Sequence, residues 1–274
     1  MFRYCFNNAA FIDRIVLSVN SDAKPVLDQL LEAKDKGILS RKSFYSRCCK
    51  AKAPLTGNPV RVLYGKVSRF PRVPAFRVLM WSEMVPLTGA QVNEFIRLVF
   101  PGAISCRPVL VELTFDLKST SVSYLQRHIL HRARLYYEYS SLGGKTAYFG
   151  SSSSPWQLRI YDKAPGIVRV ELILKVKLLS RYGIQQPDRI ITLRSLNLAR
   201  MFAFKKFSRP RIMEATNSWR DEYWREAARD WDYFGQHLNG LSRILGKSRS
   251  EIDRIFPLAR VQRTVDKMQR NLIW

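Results

Sequence analysis

Three segments in the middle of the chain hold side chains able to do chemistry together. They are Val111-Glu-Leu-Thr-Phe-Asp116, Tyr148-Phe-Gly-Ser151 followed by Arg159-Ile-Tyr-Asp-Lys163, and Val168-Arg-Val-Glu-Leu172. Side chains alternate across a strand with a period of two. Read as strands, these segments put Glu112 and Asp116 on one face, Arg159, Tyr161 and Lys163 on one face, and Arg169 and Glu171 on one face. Charges spaced this way predict a working surface, not the lining of a core. Three carboxylates, Glu112, Asp116 and Glu171, are hard oxygen ligands of the kind that Mg²⁺ or Mn²⁺ prefers. In so basic a protein they serve equally well as ion-pair partners for arginine. Arg159, Lys163 and Arg169 supply fixed positive charge, and arginine can grip a phosphate through two parallel hydrogen bonds. Tyr161 is either a nucleophile beside these groups or a sheet tyrosine that only satisfies its hydroxyl.

The charge of the whole chain says what such a surface meets. Lys and Arg outnumber Asp and Glu by 46 to 22 over 274 residues, a formal net charge of +24. Single-sign charge of this size repels itself, so it is better explained by a polyanionic partner than by solubility. Nucleic acid is the leading partner and an anionic membrane surface the other. With 46% hydrophobic residues the chain can bury a substantial core. No run approaches the roughly 20 apolar residues of a spanning helix, and the N-terminal segment has no apolar signal core, which together predict a cytoplasmic protein with no membrane role. Cys5, Cys48, Cys49 and Cys106 form no CxxC pair and have no histidines at zinc spacing, so they read as buried or incidental thiols.

The elements that must position the three segments follow from periodicity. Phe11 to Val19 reads as a strand, and Ala23 to Lys36 as a helix with Leu27, Leu30 and Leu31 on one side. After a basic stretch, Arg41 to Lys52, the runs Val60 to Val67 and Ala75 to Trp81 predict a long antiparallel hairpin. Its cationic tip carries Arg69 and Arg72. Thr88 is placed to cap a helix running to about Phe100, with Val92, Phe95, Ile96 and Val99 on its apolar face and Pro101-Gly102 to stop it. A strand from Pro108 to Leu117 comes next. Ser121 to Tyr139 then reads as a helix lying over the sheet, ended by Gly143-Gly144. Three strands follow, Lys145 to Phe149, Trp156 to Asp162 and Ile167 to Lys175. His128 and His131 would share a helical face, with no third metal ligand in sequence, and suit a solvated surface.

From Ile190 the pattern turns helical and rich in Trp, Tyr and mixed charge. Leu238 to Leu245, Gly246 and Ser248-Arg-Ser-Glu251 opening Ile252 to Phe256 outline a helix, a turn, a capping box and a second helix. The outline suits a helix-turn-helix or two helices packed on the sheet. The expected architecture is α+β. An antiparallel sheet of ferredoxin-like repeats has helices on one face over residues 1–180, and a helical module that could bind DNA spans 181–274.

Lys145-Thr-Ala-Tyr-Phe-Gly-Ser151, Arg159-Ile-Tyr-Asp-Lys163 and Val168-Arg-Val-Glu-Leu172, preceded by Val111-Glu-Leu-Thr-Phe-Asp116, resemble in order and spacing the replication initiation factor family of rolling-circle plasmids and filamentous phages. Leu87-Thr-Gly-Ala90 is similar to the family's pattern as well, and the resemblance covers about residues 85 to 175. It implies a tyrosine endonuclease that nicks one strand of an origin, stays joined to the 5′-phosphate and leaves a 3′-hydroxyl to prime synthesis. It makes Tyr161 the nucleophile, with Tyr148 its nearest rival. Tyr136, Tyr137 and Tyr139 are similar to the helix tyrosines of a different nickase class, whose His-hydrophobe-His metal motif is missing here. The family's usual residue at the first acidic position is aspartate, so Glu112 departs from the pattern by one methylene.

On this reading Glu112, Asp116 and Glu171 hold Mg²⁺ or Mn²⁺, and Arg159, Lys163, Arg169, Lys175, Arg69 and Arg72 contact DNA as origin duplex and as single strand. A host helicase or polymerase and a second copy of the chain are compatible partners. The alternative is a protein of the same fold that binds DNA without cutting it, for copy control or single-strand binding. Carboxylates beside a phosphate favour the enzyme, because a pure binder gains nothing from them. An RNA-binding sheet would instead expose aromatics on its central strands, where this sequence places charges.

Overall fold

The computed structural model describes residues 9–21, 45–53, 56–66, 74–83, 85–133, 136–141, 144–207, 242 and 246–274. Its fold is mixed α/β, with a large antiparallel sheet and several helices. Two compact units make up the chain, and neither is continuous in sequence. The first comprises Met1–Thr114, Leu172–Arg194 and Asn271–Trp274; the second comprises Phe115–Glu171 and Ser195–Arg270.

In the first unit, β1 (Phe11–Ser21), β2 (Tyr45–Lys52), β3 (Pro59–Lys66), β4 (Phe76–Trp81) and the greater part of β5 (Ala103–Lys118) lie in the order β2-β3-β4-β1-β5. The expected hairpin is present, with Val60 opposite Met80 and Val62 opposite Val78 in antiparallel register. Its tip, with Arg69 and Arg72, lies outside the described residues, as does the expected helix 23–36. β2 occupies the second half of the basic stretch that carried no strand expectation; it pairs along its length with β3. The register Arg14↔Glu112 and Arg14↔Trp81 puts an arginine of β1 between an acid of β5 and an indole of β4.

Helix α1 (Gly89–Val99) forms where the cap and the apolar spacing agree. The Thr88 hydroxyl accepts from the Gln91 N–H at 3.4 Å, and the Gln91 side chain accepts from the Thr88 N–H at 3.1 Å, a reciprocal capping box. Val92, Phe95 and Val99 are buried, and the helix stops before Pro101. The end of the chain returns to this unit, where the Ile273 N–H donates to the Ala10 carbonyl at 2.9 Å and Arg194 donates to the Leu272 carbonyl.

The second unit holds the end of β5 and β7 (Tyr136–Ser141), β8 (Gly144–Phe149), β9 (Trp156–Ala164) and the first part of β10 (Ile167–Lys175), in the order β10-β9-β8-β7. Gly150 ends β8 with φ 93°, and a Cβ there would stand 2.9 Å from the Trp156 carbonyl oxygen. Only glycine admits that turn without displacing backbone. Two residues, Pro165 and Gly166, join β9 to β10, which makes the pair antiparallel.

Helix α2 (Val122–His128), capped by the Ser121 hydroxyl, is far shorter than the helix expected over 121–139. β6 (Ile129–His131) follows it directly, and Tyr137 and Tyr139 sit on a strand, β7, not on a helix. Aromatic residues favour strands over helices, and pairing with β8 along the whole of β7 decides the matter. His128 therefore ends a helix while His131 is buried in a strand, its ring edge-on to Phe149. The pair shares no helical face.

β6 pairs with β11 (Phe202–Phe204), a strand in the region expected to be helical throughout. The same region contributes 3-10 turns at Pro187–Ser195 and Leu198–Arg200 and the helices α4 (Arg249–Ile255) and α5 (Arg260–Arg270), while α3 (Val176–Arg181) follows β10. The capping box foreseen at Ser248 and Glu251 opens α4. The first helix of the expected helix-turn-helix, and the Trp- and Tyr-rich stretch before it, fall almost wholly outside the described residues.

Candidate active site

In the second unit the registers Tyr137↔Tyr148↔Arg159 and Tyr139↔Thr146↔Tyr161 set two cross-strand rows on one face of the sheet. Residues directly opposite one another in neighbouring strands point to the same side. The other face carries the row Glu138↔Ala147↔Ile160, which α2 covers: Gln126 donates to Glu138 at 2.8 Å, and Ala147 and Ile160 are buried.

At the inner end of the first face, Glu171 of β10 accepts two hydrogen bonds. The Tyr161 hydroxyl donates to Glu171 Oε1 at 2.5 Å, and Arg159 Nη2 donates to Glu171 Oε2. The Glu171 side chain is 1% exposed, against 30% for Arg159. The acid is thus held inside while the guanidinium reaches the surface, its centre 6.0 Å from the Tyr161 ring. Burial pushes the Tyr161 hydroxyl well above the ordinary tyrosine range, the charge of Glu171 and its hydrogen bond push the same way, and Arg169 and Arg159 oppose them. The phenol is therefore protonated at neutral pH, with a carboxylate already placed on its proton.

Beside this group, Asp116 at the end of β5 takes both arms of Arg169, at 2.6 Å from Nε to Oδ1 and 2.8 Å from Nη2 to Oδ2. Their side chains are 0% and 2% exposed, so the pair is bidentate and dry. In the first unit Arg14 Nη2 donates to Glu112 Oε1 at 2.5 Å. The acids predicted to form a surface are thus buried, each neutralised by an arginine on a neighbouring strand.

The structure brings together Tyr161, Arg159, Glu171, Arg169 and Asp116. Lys163 is half-buried one step along β9 from Tyr161. Lys175 lies at the far end of β10, where burial pulls its ammonium below the usual lysine value. Tyr148, the rival nucleophile, stacks on Tyr137 with ring centres 4.6 Å apart and planes 5° from parallel. Among the described residues no group of three His, Cys, Asp or Glu side chains is placed to hold a metal ion. The oxygens of Asp116 and Glu171 all face donors, so as arranged these carboxylates do not fit a shared cation.

Arg14 escaped the sequence reading; its signal is a lone cation inside the apolar run Phe11-Ile-Asp-Arg-Ile-Val16. The tyrosines expected on a helix stand instead on β7, with Tyr137 and Tyr139 exposed, and the signal for this is the alternation Tyr137-Glu-Tyr139. Cys48, Cys49 and Cys106 form no disulfide, burial pushes Cys106 up to about 12, and Cys5 lies outside the described residues. Among the described residues no helix is long and apolar enough to cross a membrane.

No known family profile and no curated protein matches the sequence. In overall structure the chain resembles a rolling circle replication initiator protein from Geobacillus stearothermophilus, with 15% identity, a TM-score of 0.49 and coverage of 97% of both chains. At that identity and score, function has to be read from the side chains themselves.

Proposed function

We propose that the chain initiates rolling-circle replication by cutting one DNA strand with Tyr161. One contact carries the reading: the Tyr161 hydroxyl on the buried Glu171, with Arg159 on the same carboxylate and open to the surface. In the reaction Tyr161 Oη forms a bond to phosphorus as the bond from phosphorus to the 3′-oxygen breaks. The phenolic proton passes to Glu171, and the departing 3′-oxygen takes up a proton from solvent water to become the hydroxyl that primes synthesis. The 5′-phosphate stays on Tyr161, and the reverse transfer reseals the strand.

A phenol held protonated by burial cannot attack as a free phenolate, so proton transfer must accompany attack, and Glu171 stands where that proton leaves. Charge developing on the phosphate meets Arg159, with Arg169 held nearby by Asp116 and Lys163 further along β9. The net charge of +24 draws the DNA. The antiparallel sheets of the two units are read as the ferredoxin-like repeats that such an enzyme would carry.

The test is to incubate the protein with supercoiled DNA bearing its own gene and flanks, and to look for nicked circles and a protein-DNA adduct. The adduct is expected with the wild type and lost in Tyr161→Phe. Nicking that survives in Tyr161→Phe moves the nucleophile to Tyr148 or the β7 tyrosines. Tight binding without any nicking returns the chain to the DNA-binding class. Arms with Mg²⁺, with Mn²⁺ and with a chelator separate two sources of charge neutralisation: an adduct in chelator assigns it to the arginines, and an adduct only with metal assigns it to a cation that displaces one of them.

A further inference from the structure

The face that carries Tyr161 continues outward across β8 to β7, the last strand in the order, and presents three tyrosines there, Tyr148, Tyr137 and Tyr139, with Thr146 among them. Tyr148 and Tyr137 form a preformed stack one and two strands out from Arg159, and Tyr139 lies two strands out from Tyr161. Tyr137 is 42% exposed and Tyr139 63%, whereas the tyrosines of a packed sheet face are normally covered. The Gln157 side chain, on the same face of β9, donates to the Gly150 carbonyl at 3.0 Å and reaches the Tyr137 hydroxyl at 3.4 Å, so the outer ring is tethered.

Strands lie about 4.8 Å apart, so the two rings stand roughly 5 and 10 Å from Arg159 along their shared row, with Tyr161 two residues further along β9. Flat exposed rings beside fixed cations are what a chain of bases on a phosphate backbone requires, and they suit unpaired bases, since duplex bases hide their faces in the helix stack. The charge of the protein is complementary to that chain.

We propose that Tyr137 and Tyr148, with Tyr139 beside them, form a stacking platform for the unpaired bases of single-stranded DNA next to the phosphate that Tyr161 attacks. This deepens the nickase reading and rests on it for the direction of the strand. The platform holds the DNA in single-stranded form at the site, and contributes affinity that does not depend on sequence or on phosphate charge.

Binding of a short labelled oligonucleotide, its duplex and the RNA of the same sequence is measured by anisotropy across a salt series, using full-length protein. All proteins carry Tyr161→Phe, so that cleavage does not enter. Tyr137→Ala and Tyr148→Ala are each expected to weaken single-stranded DNA binding by roughly 5- to 150-fold with an unchanged salt slope, because no phosphate contact is removed. Tyr137→Phe, which keeps the ring, is expected to bind like its parent, and duplex binding is expected to be unchanged. Alanine variants that bind single strands like the parent overturn the platform, as does a Tyr137→Phe variant as weak as Tyr137→Ala. RNA bound as tightly as DNA, with the same dependence on Tyr137, overturns the assignment to DNA. A photoreactive halogenated base in the oligonucleotide tests the parent without an alanine variant: crosslinks to β7 or β8 support the platform, and crosslinks confined elsewhere overturn it. Because these readouts need no cleavage, loss of platform binding and loss of nicking are separate results.

Discussion

Each unit contains a buried glutamate held by a partly exposed arginine. In the first unit Glu112 and Arg14 are 3% and 29% exposed; in the second Glu171 and Arg159 are 1% and 30% exposed. The neighbouring aromatic differs. Arg14 lies opposite Trp81, whose ring nitrogen bears a proton that does not ionise, and Glu171 lies against Tyr161, whose oxygen can give up a proton and then bond to phosphorus. On the proposed function the same pair is a cross-strand clasp in one place and part of the reactive group in the other, and the difference is one phenol. The Asp116–Arg169 pair is a third arrangement, buried on both sides and bidentate, with geometry suited to holding β5 against β10.

The comparison is broken most severely at the closed pair. Asp116→Ala leaves a guanidinium buried without its partner and is expected to cost about 3–5 kcal/mol of stability, read by denaturant or thermal unfolding. A loss below about 1 kcal/mol would mean that Arg169 finds water or another acid.

Glu171→Gln keeps the shape and removes the proton acceptor. Single-turnover nicking is expected to fall by roughly 10²- to 10⁴-fold while DNA binding holds. Its counterpart Glu112→Gln is expected to leave nicking within a few-fold of wild type and to cost about 1–3 kcal/mol of stability, because Arg14 loses a charged acceptor but can still reach water. Equal losses of nicking in the two variants would place both glutamates in the reaction, as a shared cation would require.

The smallest effect is spectroscopic. The folded pKa of Tyr161 is raised, so its contribution to stability is fully present below the ordinary tyrosine value of about 10 and is lost as pH rises above it toward the folded value. In an alkaline tyrosinate titration of the native protein, Tyr161→Phe is expected to remove no signal below pH about 11. In Glu171→Gln, which removes a charge that opposes ionisation, Tyr161 is expected to titrate lower even as nicking slows. A titration near pH 10 in the wild type would contradict the buried Tyr161–Glu171 contact.

The strands that position the site were legible because period-two patterning and turn residues agreed: the Val60 to Trp81 hairpin, the β8, β9 and β10 segments and the capped α1 lie within a few residues of their expected places. The segment 121–139 misled because Ser121, Leu125 and the interleaved cations satisfy a helical period, while the tyrosines after His131 satisfy an alternating one. Only pairing with β8 chooses between them.

By itself the sequence determined a basic, core-forming α+β chain, the strands that carry the site, and which of their side chains share a face, since charge, hydropathy and alternation are local properties. Which arginine meets which acid was decided only in the tertiary structure. Arg14 and Glu112 are 98 positions apart and Arg169 and Asp116 are 53 apart, and it is strand order and register that bring them within hydrogen-bonding distance. The same long-range pairing decides that Tyr161 is placed on a buried carboxylate and that Tyr137 and Tyr148 are stacked beside it.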